Sequence, residues 1–339
     1  MEFRRIAIDT SKSVFTLHGV DDQERPVLRR DVRRAQLEPF FAKLAPTDVV
    51  LEACGGSHHW GRTLEAMGHR VRLIPPQYAK PFVKRAKNDC NDAEAISEAA
   101  SRPTMRSVAI KSAEQQAQAI ILSARELLVG QRTQLINAVR GHAAEFGLVA
   151  AKGTSRVAAL LAAIADGDAV PQVARELLAL LGRQIDHLDR EIARLEAKMM
   201  VQHKAHPVSR LLAEIPGIGP IGALTLALRV DPAQFASGRH FSAWLGLTPR
   251  EHSSGGKQRI GGISRAGDDR LRQLLVLGAT AVIQHAKPGR RGVSPWLLSL
   301  LERRPRKLAA VALANKMARI AWAMMTSGEA YRQTMPAAS

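Results

Sequence analysis

Arg4-Arg5-Ile6-Ala7-Ile8-Asp9-Thr10 reads as a short apolar strand that ends in an acid. Residues 14–20, Val-Phe-Thr-Leu-His-Gly-Val, follow a turn and are rich in β-forming types, and residues 26–32 supply a third run of the same kind. Three such runs in succession predict an antiparallel meander. Helical spacing follows at 37–44. Residues 48–53, Asp-Val-Val-Leu-Glu-Ala, then read as a buried strand, again with an acid, Glu52, near the end. A helix is expected after the Gly55-Gly56 turn, through 60–67, and a further strand at 71–74, stopped by Pro75-Pro76. Strands first, then strand and helix in alternation, predict an α/β fold with a mixed sheet flanked by helices.

The next informative stretch is Lys87-Asn88-Asp89-Cys90-Asn91-Asp92-Ala93-Glu94-Ala95-Ile96. Asp89 and Asp92 are three residues apart at the start of an expected helix, so they share one face. Asn88 is a good N-cap, and acids in a first turn also suit the helix dipole. The dipole alone accounts for two acids here. A site requires other carboxylates at the same place, and Asp9 and Glu52, both near strand ends, are the candidates.

The rest of the chain reads as mostly helical. Ser112-Ala113-Glu114-Gln115 has capping-box form and opens a long helix to about residue 145, with Gly147 as its C-cap glycine. A shorter helical region covers 153–170, and Pro171 reopens a helix. Its apolar series, Leu178, Leu181, Ile185, Leu188, Ile192, Leu195 and Met199, alternates steps of three and four, a heptad seam. The seam suits a helical hairpin or a subunit interface. Pro207 ends it. Residues 215–230 begin Ile-Pro-Gly-Ile-Gly-Pro and run straight into a helix, a turn that exposes backbone N–H groups around Gly217 and Gly219. That is a phosphate cradle of helix-hairpin-helix type or a plain tight turn. Residues 235–247 look helical, 248–267 form a polar Gly/Ser/basic loop, 268–285 a helix, 287–292 a basic loop and 308–325 a final Ala-rich helix.

Composition narrows the partners. The chain of 339 residues carries a formal charge of +18. The charge is uneven: residues 1–150 hold 22 Lys and Arg against 17 Asp and Glu, residues 151–238 hold 10 against 9, and residues 239–320 hold 16 against 4. The last region, at a net +12, is the one expected to meet phosphates, since Lys and Arg gain affinity by releasing counterions. Aromatics at 4% make stacking on many unpaired bases a poor general mode. Two cysteines, Cys54 and Cys90, and no leader-like segment fit a reducing cytosol. No uninterrupted apolar run reaches the ~18 residues of a membrane span, so no membrane partner is expected.

Asp9, Glu52, Asp89 and Asp92 together make a set of hard oxygen ligands suited to Mg²⁺ or Mn²⁺. Two such ions clamp the attacking and leaving oxygens of a phosphodiester. An acid ending the first strand of a meander, another on a later strand and a pair on a helix is the layout of the ribonuclease-H-like nuclease fold. A zinc set of Cys54, His58, His59 and Cys90 has no recognised ligand spacing and is set aside.

The sequence resembles the DEDD transposases of bacterial insertion sequences, of the one-hundred-and-ten type, and most closely their Coxiella-type subgroup. The matching stretches are Ala7-Ile8-Asp9, Leu51-Glu52-Ala53, the 87–96 stretch, Ile215-Pro216-Gly217-Ile218-Gly219-Pro220, Trp244-Leu245-Gly246-Leu247-Thr248-Pro249-Arg250, Ser253-Ser254-Gly255-Gly256-Lys257 and Ile263-Ser264-Arg265-Ala266-Gly267-Asp268. They cover nearly the whole chain in order. The resemblance implies a RuvC-like DEDD domain at 1–110, a helical coiled-coil segment at 111–206 and a transposase domain at 207–330. It also implies a carboxylate tetrad of Asp9, Glu52, Asp89 and Asp92, and a serine nucleophile that matches Ser254, with Ser253 beside it. The family is similar in working with an RNA transcribed from the element's own non-coding end, which pairs with donor and target DNA.

Read as chemistry, Ser254 sits among glycines that let backbone approach a phosphate, with Lys257 and Arg259 to neutralise developing charge. Ser264 and Arg265 suit helix capping and phosphate contact. Three functions compete: a recombinase with a phosphoserine intermediate, a metal-dependent junction nuclease that uses water, and a non-enzymatic nucleic-acid-binding protein. A homodimer or homotetramer is expected from the heptad seam.

Overall fold

In the computed structural model, residues 3–332 are described, apart from 85–87, 168, 254, 256, 258 and 291. Lys87 and Ser254 therefore lie outside the described residues. The chain divides into two compact units, Met1–Ala117 and Gln118–Ser339.

The first unit is built on the expected meander. Strands β1 (Arg5–Thr10), β2 (Val14–Val20) and β3 (Pro26–Arg33) pair antiparallel, and β4 (Asp48–Glu52) and β5 (Arg70–Ile74) add in parallel to give the order β3-β2-β1-β4-β5. Helices α1 (Leu37–Phe41), α2 (Ser57–Ala66), α3 (Pro76–Ala79) and α4 (Asp89–Ser101) complete the unit. Alternation sorts the side chains between two faces. Ile6, Ile8, Phe15, Leu17, Val49 and Leu51 bury with Trp60 and Leu64 of α2. Ala7 and Val50 face the other way and bury with Ile96, Ala99 and Ala100 of α4. The buried strands β1 and β4 are flanked by helices on both faces, which explains their short, continuous apolar runs.

In the second unit α5 (Ala113–Ala144), whose first turns belong to the first unit, runs into α6 (Ser155–Asp166) and α7 (Gln172–Ala205). The capping box forms as expected: Ser112 N–H donates to Gln115 Oε1 at 2.9 Å and Gln115 N–H donates to Ser112 Oγ at 3.1 Å. The heptad seam of α7 is occupied within the chain. Leu178 and Ile185 bury with Ile136, Val139 and Ala143 of α5 and with α6, while Met199 buries with Leu122 and Leu224. Arg125 Nε donates to Glu196 at 2.8 Å and Arg132 Nη1 to Asp189 at 2.6 Å. Those two pairs step by seven in opposite directions along the chain, the register of an antiparallel helical hairpin.

Helices α8 (Pro207–Leu212), α9 (Pro220–Arg229), α10 (Gly238–Trp244), α11 (Asp269–Gln284), α12 (Pro295–Arg303) and α13 (Arg306–Ser327) share one core. Three sequence expectations change here. Pro207 ends α7 and also opens α8 as its first residue. The helix expected over 235–247 is confined to Gly238–Trp244, capped by the Ser237 hydroxyl, which accepts from His240 N–H. The loop expected over 248–267 contains a hairpin of β6 (Pro249–Glu251) and β7 (Ile260–Ile263). Proline and paired glycines hide those strands from β-propensity. Helix α12 went unassigned in the sequence, although Ser294 caps it through Leu297 N–H and Pro295 takes its first position.

Gly217, with φ +92°, lies against Gly278 of α11, and a Cβ there would meet the Gly278 carbonyl oxygen at 2.8 Å. The converse holds at Gly278, whose Cβ would meet the Gly217 carbonyl. The turn before α9 is thus packed backbone to backbone on α11. Among the described residues α13 alone combines the length and mean hydropathy of a bilayer span. Its Ala309, Leu313, Ala314, Met317, Ala318, Ala321 and Met324 are buried in the helical core.

Candidate active site

β1 and β4 are parallel neighbours, paired up to Ile8–Leu51. Asp9 and Glu52 are the next residue of each strand, and by alternation they follow Ala7 and Val50 onto the face that α4 covers. There α4 begins. Asn88 caps it, its side chain accepting from Asn91 N–H at 2.8 Å, and Asp89 and Asp92 occupy the first turn. The geometry gathers Asp9, Asp89 and Asp92 so that one carboxylate oxygen from each lies within 4.8 Å of the others. Asp9 and Asp92 are half-buried and Asp89 is exposed.

Electrostatics show what this costs. Burial, followed by the charges of Asp92, Asp89 and Glu52, pushes the Asp9 carboxyl from its ordinary 3.8 up to about 6, against a hydrogen bond from the Thr10 backbone N–H. Glu52 is raised too, by burial first and by Asp92 second, so it belongs to the same electrostatic set. Like charges in a partly dry place repel unless a proton or a cation enters. A divalent ion removes that repulsion, and an all-oxygen donor set fits a hard ion. The acids of the 87–96 stretch thus meet a third carboxylate, Asp9, as well as the helix dipole. His58, from the zinc set, has its Nδ1 accepting from Lys111 N–H at 3.2 Å, and Cys54 Sγ lies 3.0 Å from Thr10 Oγ1.

The serine region lies in the second unit, at the tip of the β6–β7 hairpin. Pro249 pairs with Ile263 and Glu251 with Ile260, and His252 N–H donates to the Arg259 carbonyl at 2.9 Å. Ser253 is fully engaged. Its hydroxyl donates to Glu251 Oε1 at 2.9 Å and accepts from Arg259 N–H at 3.2 Å. It therefore works as a tie across the hairpin, a role the sequence did not reveal. Lys257 and Arg259 are exposed.

Arg265 is exposed and held at φ +57°, a left-handed conformation unusual for a residue with a side chain. Its N–H donates to the Gly246 carbonyl at 3.2 Å, and Ser264 N–H donates to the Thr248 carbonyl at 2.8 Å. Two arginines brace this turn, neither singled out by the sequence. Arg250 donates to the Ser264 carbonyl at 3.0 Å, and Arg272 to the carbonyls of Leu245 at 3.0 Å and Ala266 at 2.6 Å. Gly219 is open on its Cβ side, while Gly217 is accounted for by its packing on Gly278.

Two further residues near the acids carry structure. Thr16, opposite Asp9 on β2, donates to Asp31 on β3 at 2.7 Å. Glu94 accepts from Lys84 Nζ at 2.7 Å and from Arg29 at 3.4 Å, pinning the start of α4 to the segment before it and to the edge strand. The i+2 spacing from Asp92 puts Glu94 on a different face of α4 from Asp89 and Asp92.

With this geometry in place, comparison with known proteins is informative. A family model described as a transposase, the DEDD type of IS110, matches residues 6–146. A second, described as the transposase IS116/IS110/IS902 family, matches residues 209–293. The y4pF/y4sB protein of Sinorhizobium fredii is 56% identical over 97% of this chain and 86% of its own length. A Pseudomonas aeruginosa protein named as a family 20 transposase is 48% identical over 98% of this chain and 99% of its own length. The transposase for insertion sequence element IS1111A of Coxiella burnetii is 42% identical over 98% of this chain and 92% of its own length. The first model contains the four acids, and the second contains the hairpin and the Arg265 turn.

Proposed function

The chain belongs to the IS110 family of insertion-sequence transposases, and from that premise we propose that it exchanges DNA strands through a covalent bond between Ser254 and a DNA phosphate. The observation that carries the reading is the convergence of Asp9, Asp89 and Asp92, with Glu52 coupled to them. The strand order and the acids at its centre support a ribonuclease-H/RuvC-like unit at 1–110. The α5–α7 hairpin supports a coiled-coil segment at 111–206, and the common core of α8–α13 a transposase domain at 207–330.

Asp9, Glu52, Asp89 and Asp92 would hold Mg²⁺ or Mn²⁺, which would supply positive charge for the oxygens of the phosphodiester. The Ser254 hydroxyl oxygen attacks phosphorus, a serine–phosphate bond forms and the bond to one sugar oxygen breaks. That oxygen leaves as a hydroxyl, its proton replacing the one lost from serine. Rejoining reverses the step: a sugar hydroxyl of the other DNA attacks the phosphoserine and frees Ser254, so the phosphodiester energy is conserved. Lys257, Arg259 and Arg265 neutralise phosphate charge, and the backbone at Gly219, open on its Cβ side, offers its N–H to a neighbouring phosphate. The double engagement of Ser253 supports Ser254 as the nucleophile.

A structured guide RNA chooses donor and target DNA, and the active form is a homodimer or homotetramer acting in the bacterial cytoplasm on the nucleoid. The test is a strand-exchange reaction with purified protein, RNA from the element's flank and divalent metal, quenched in detergent. Wild type gives a protein–DNA adduct, and Ser254→Ala gives neither adduct nor product. Full exchange by Ser254→Ala, or free cut ends without any adduct, sinks the serine reading in favour of attack by water.

A further inference from the structure

The second unit carries a groove of about 1180 Å³ between one face of α13, the start of α10, Trp296 of α12 and the wall of β7. We propose that this groove is the track of a single, locally unpaired DNA strand leading to the serine hairpin, with phosphates on Arg239, Lys316 and Arg319 and a base or sugar against Trp296. The inference rests on the reading that the hairpin engages DNA.

Five observations carry it. The lining includes three cations and no carboxylate. Arg239 and Arg319 are exposed, and none of the three cations makes an ion pair among the described residues. The Lys316 ammonium sits 4.7 Å from the centroid of the Trp296 ring, which holds the charge beside the groove by a cation–π contact. Trp296 is still 39% exposed and Leu308 57%, an apolar floor of a kind that a soluble surface seldom leaves bare. Finally, the wall contains Gly261 and Gly262 of β7, so the groove adjoins the strand that returns from the serines.

The mixture selects the occupant. The volume exceeds the roughly 300–1,000 Å³ of small-molecule pockets and suits a chain. An apolar helix from a partner would bury three cations without anions, at a cost in desolvation. A nucleic-acid strand offers phosphates at the rim and flat apolar surface to the floor. The adjoining hairpin favours DNA over RNA, because the strand that the hairpin engages is DNA on the reading above.

The test is equilibrium binding of full-length protein to a fluorescent thymidine homopolymer, to uridine homopolymer of equal length and to duplex DNA, without divalent ions and over a salt series. Wild type binds the thymidine strand more tightly than the uridine strand. Lys316→Gln with Arg319→Gln weakens it at least tenfold and flattens the log–log salt slope by about 1.4, two single-strand phosphates' worth. Trp296→Ala weakens it about tenfold with the slope unchanged. Lys198→Ala, on the exposed side of α7, changes nothing. In a second measurement independent of any variant, iodouracil-substituted DNA photocrosslinks to the peptide bearing Trp296. Unchanged affinity in both groove variants, tighter binding of the uridine strand, or a crosslink mapped elsewhere overturns the proposal. So does Leu308→Glu dissociating an oligomer while DNA affinity stays constant, which assigns the groove to a protein partner. Ser254→Ala binds normally in these conditions, so a failed serine mechanism and a failed groove give different results.

Discussion

Asp9 and Glu52 stand at the ends of adjacent parallel strands, and Asp89 and Asp92 on the first turn of a capped helix. Ser253, by contrast, sits on a hairpin whose strands are three and four residues long. The first group is fixed by a sheet with helices on both faces, and its charges repel one another. The second rests on a light scaffold pinned by Ser253, Arg250 and Arg272, and its surroundings are cationic. The acids suit a cation, and the hairpin suits an anion. Rigid elements are needed where like charges must be held together against repulsion. A short hairpin suffices where the incoming phosphate itself is attracted. Changes in the first region are therefore expected to act through charge, and changes in the second through position.

The largest effect expected from breaking this contrast is Asp92→Asn, which keeps the shape and removes one charge from the cluster. Strand exchange falls on the order of a thousandfold or more, with far-ultraviolet circular dichroism unchanged. If the variant keeps near-normal exchange, the acids are structural. Next comes Glu126→Ala. Glu126 accepts from Arg229 at 3.0 Å and pairs with Arg270 at 3.4 Å, both arginines mostly buried. Its loss leaves two cations short of a partner and costs about 2 kcal/mol in urea unfolding of the second unit. Asp92→Asn should leave that transition untouched.

A smaller effect concerns pH. The Asp9 carboxyl titrates near 6 in the folded protein against 3.8 ordinarily. Between those values the folded state binds more protons than the unfolded chain, so stability of the first unit falls as pH rises from about 4 to about 6 and stays lower above that. The loss is on the order of 1 kcal/mol after allowance for solvent screening. Millimolar Mg²⁺ restores it and Asp9→Asn reduces the dependence to the part that belongs to Glu52, both read by melting temperature across the pH range. A first unit that gains stability over this interval would sink the account of a repulsive cluster. The smallest effect is Ser112→Ala, which removes the capping box of α5 and costs about 0.5 kcal/mol in thermal unfolding, without change in strand exchange.

The same contrast explains what could be read in the sequence. The sheet and its acids were legible because β1 and β4 are continuous apolar runs and each ends in a single acid. The pair on α4 follows from a spacing of three behind a good cap. The hairpin was not legible, since Ile260-Gly261-Gly262-Ile263 has little β-propensity and is paired by its tertiary setting. The braces from Arg250 and Arg272 reach carbonyls many residues away, which no local pattern reports. The heptad seam of α7 was legible but its partner was not. Helix α5 answers it partly with Leu122, Ile136, Val139 and Ala143 and partly with Arg125 and Arg132, whose ion pairs no apolar pattern reports.

The contact between Gly217 and Gly278 has a consequence for anyone building chimeras from relatives of this protein. The two residues are far apart in the chain, yet each occupies the space that the other's side chain would need. A grafted turn brought in without its own α11, or an α11 brought in without its own turn, keeps its backbone path only if both positions arrive as glycine. Libraries that shuffle the segment before α9 independently of α11 will contain a dead class defined by this pair. Crossovers placed outside 217–278 will avoid it.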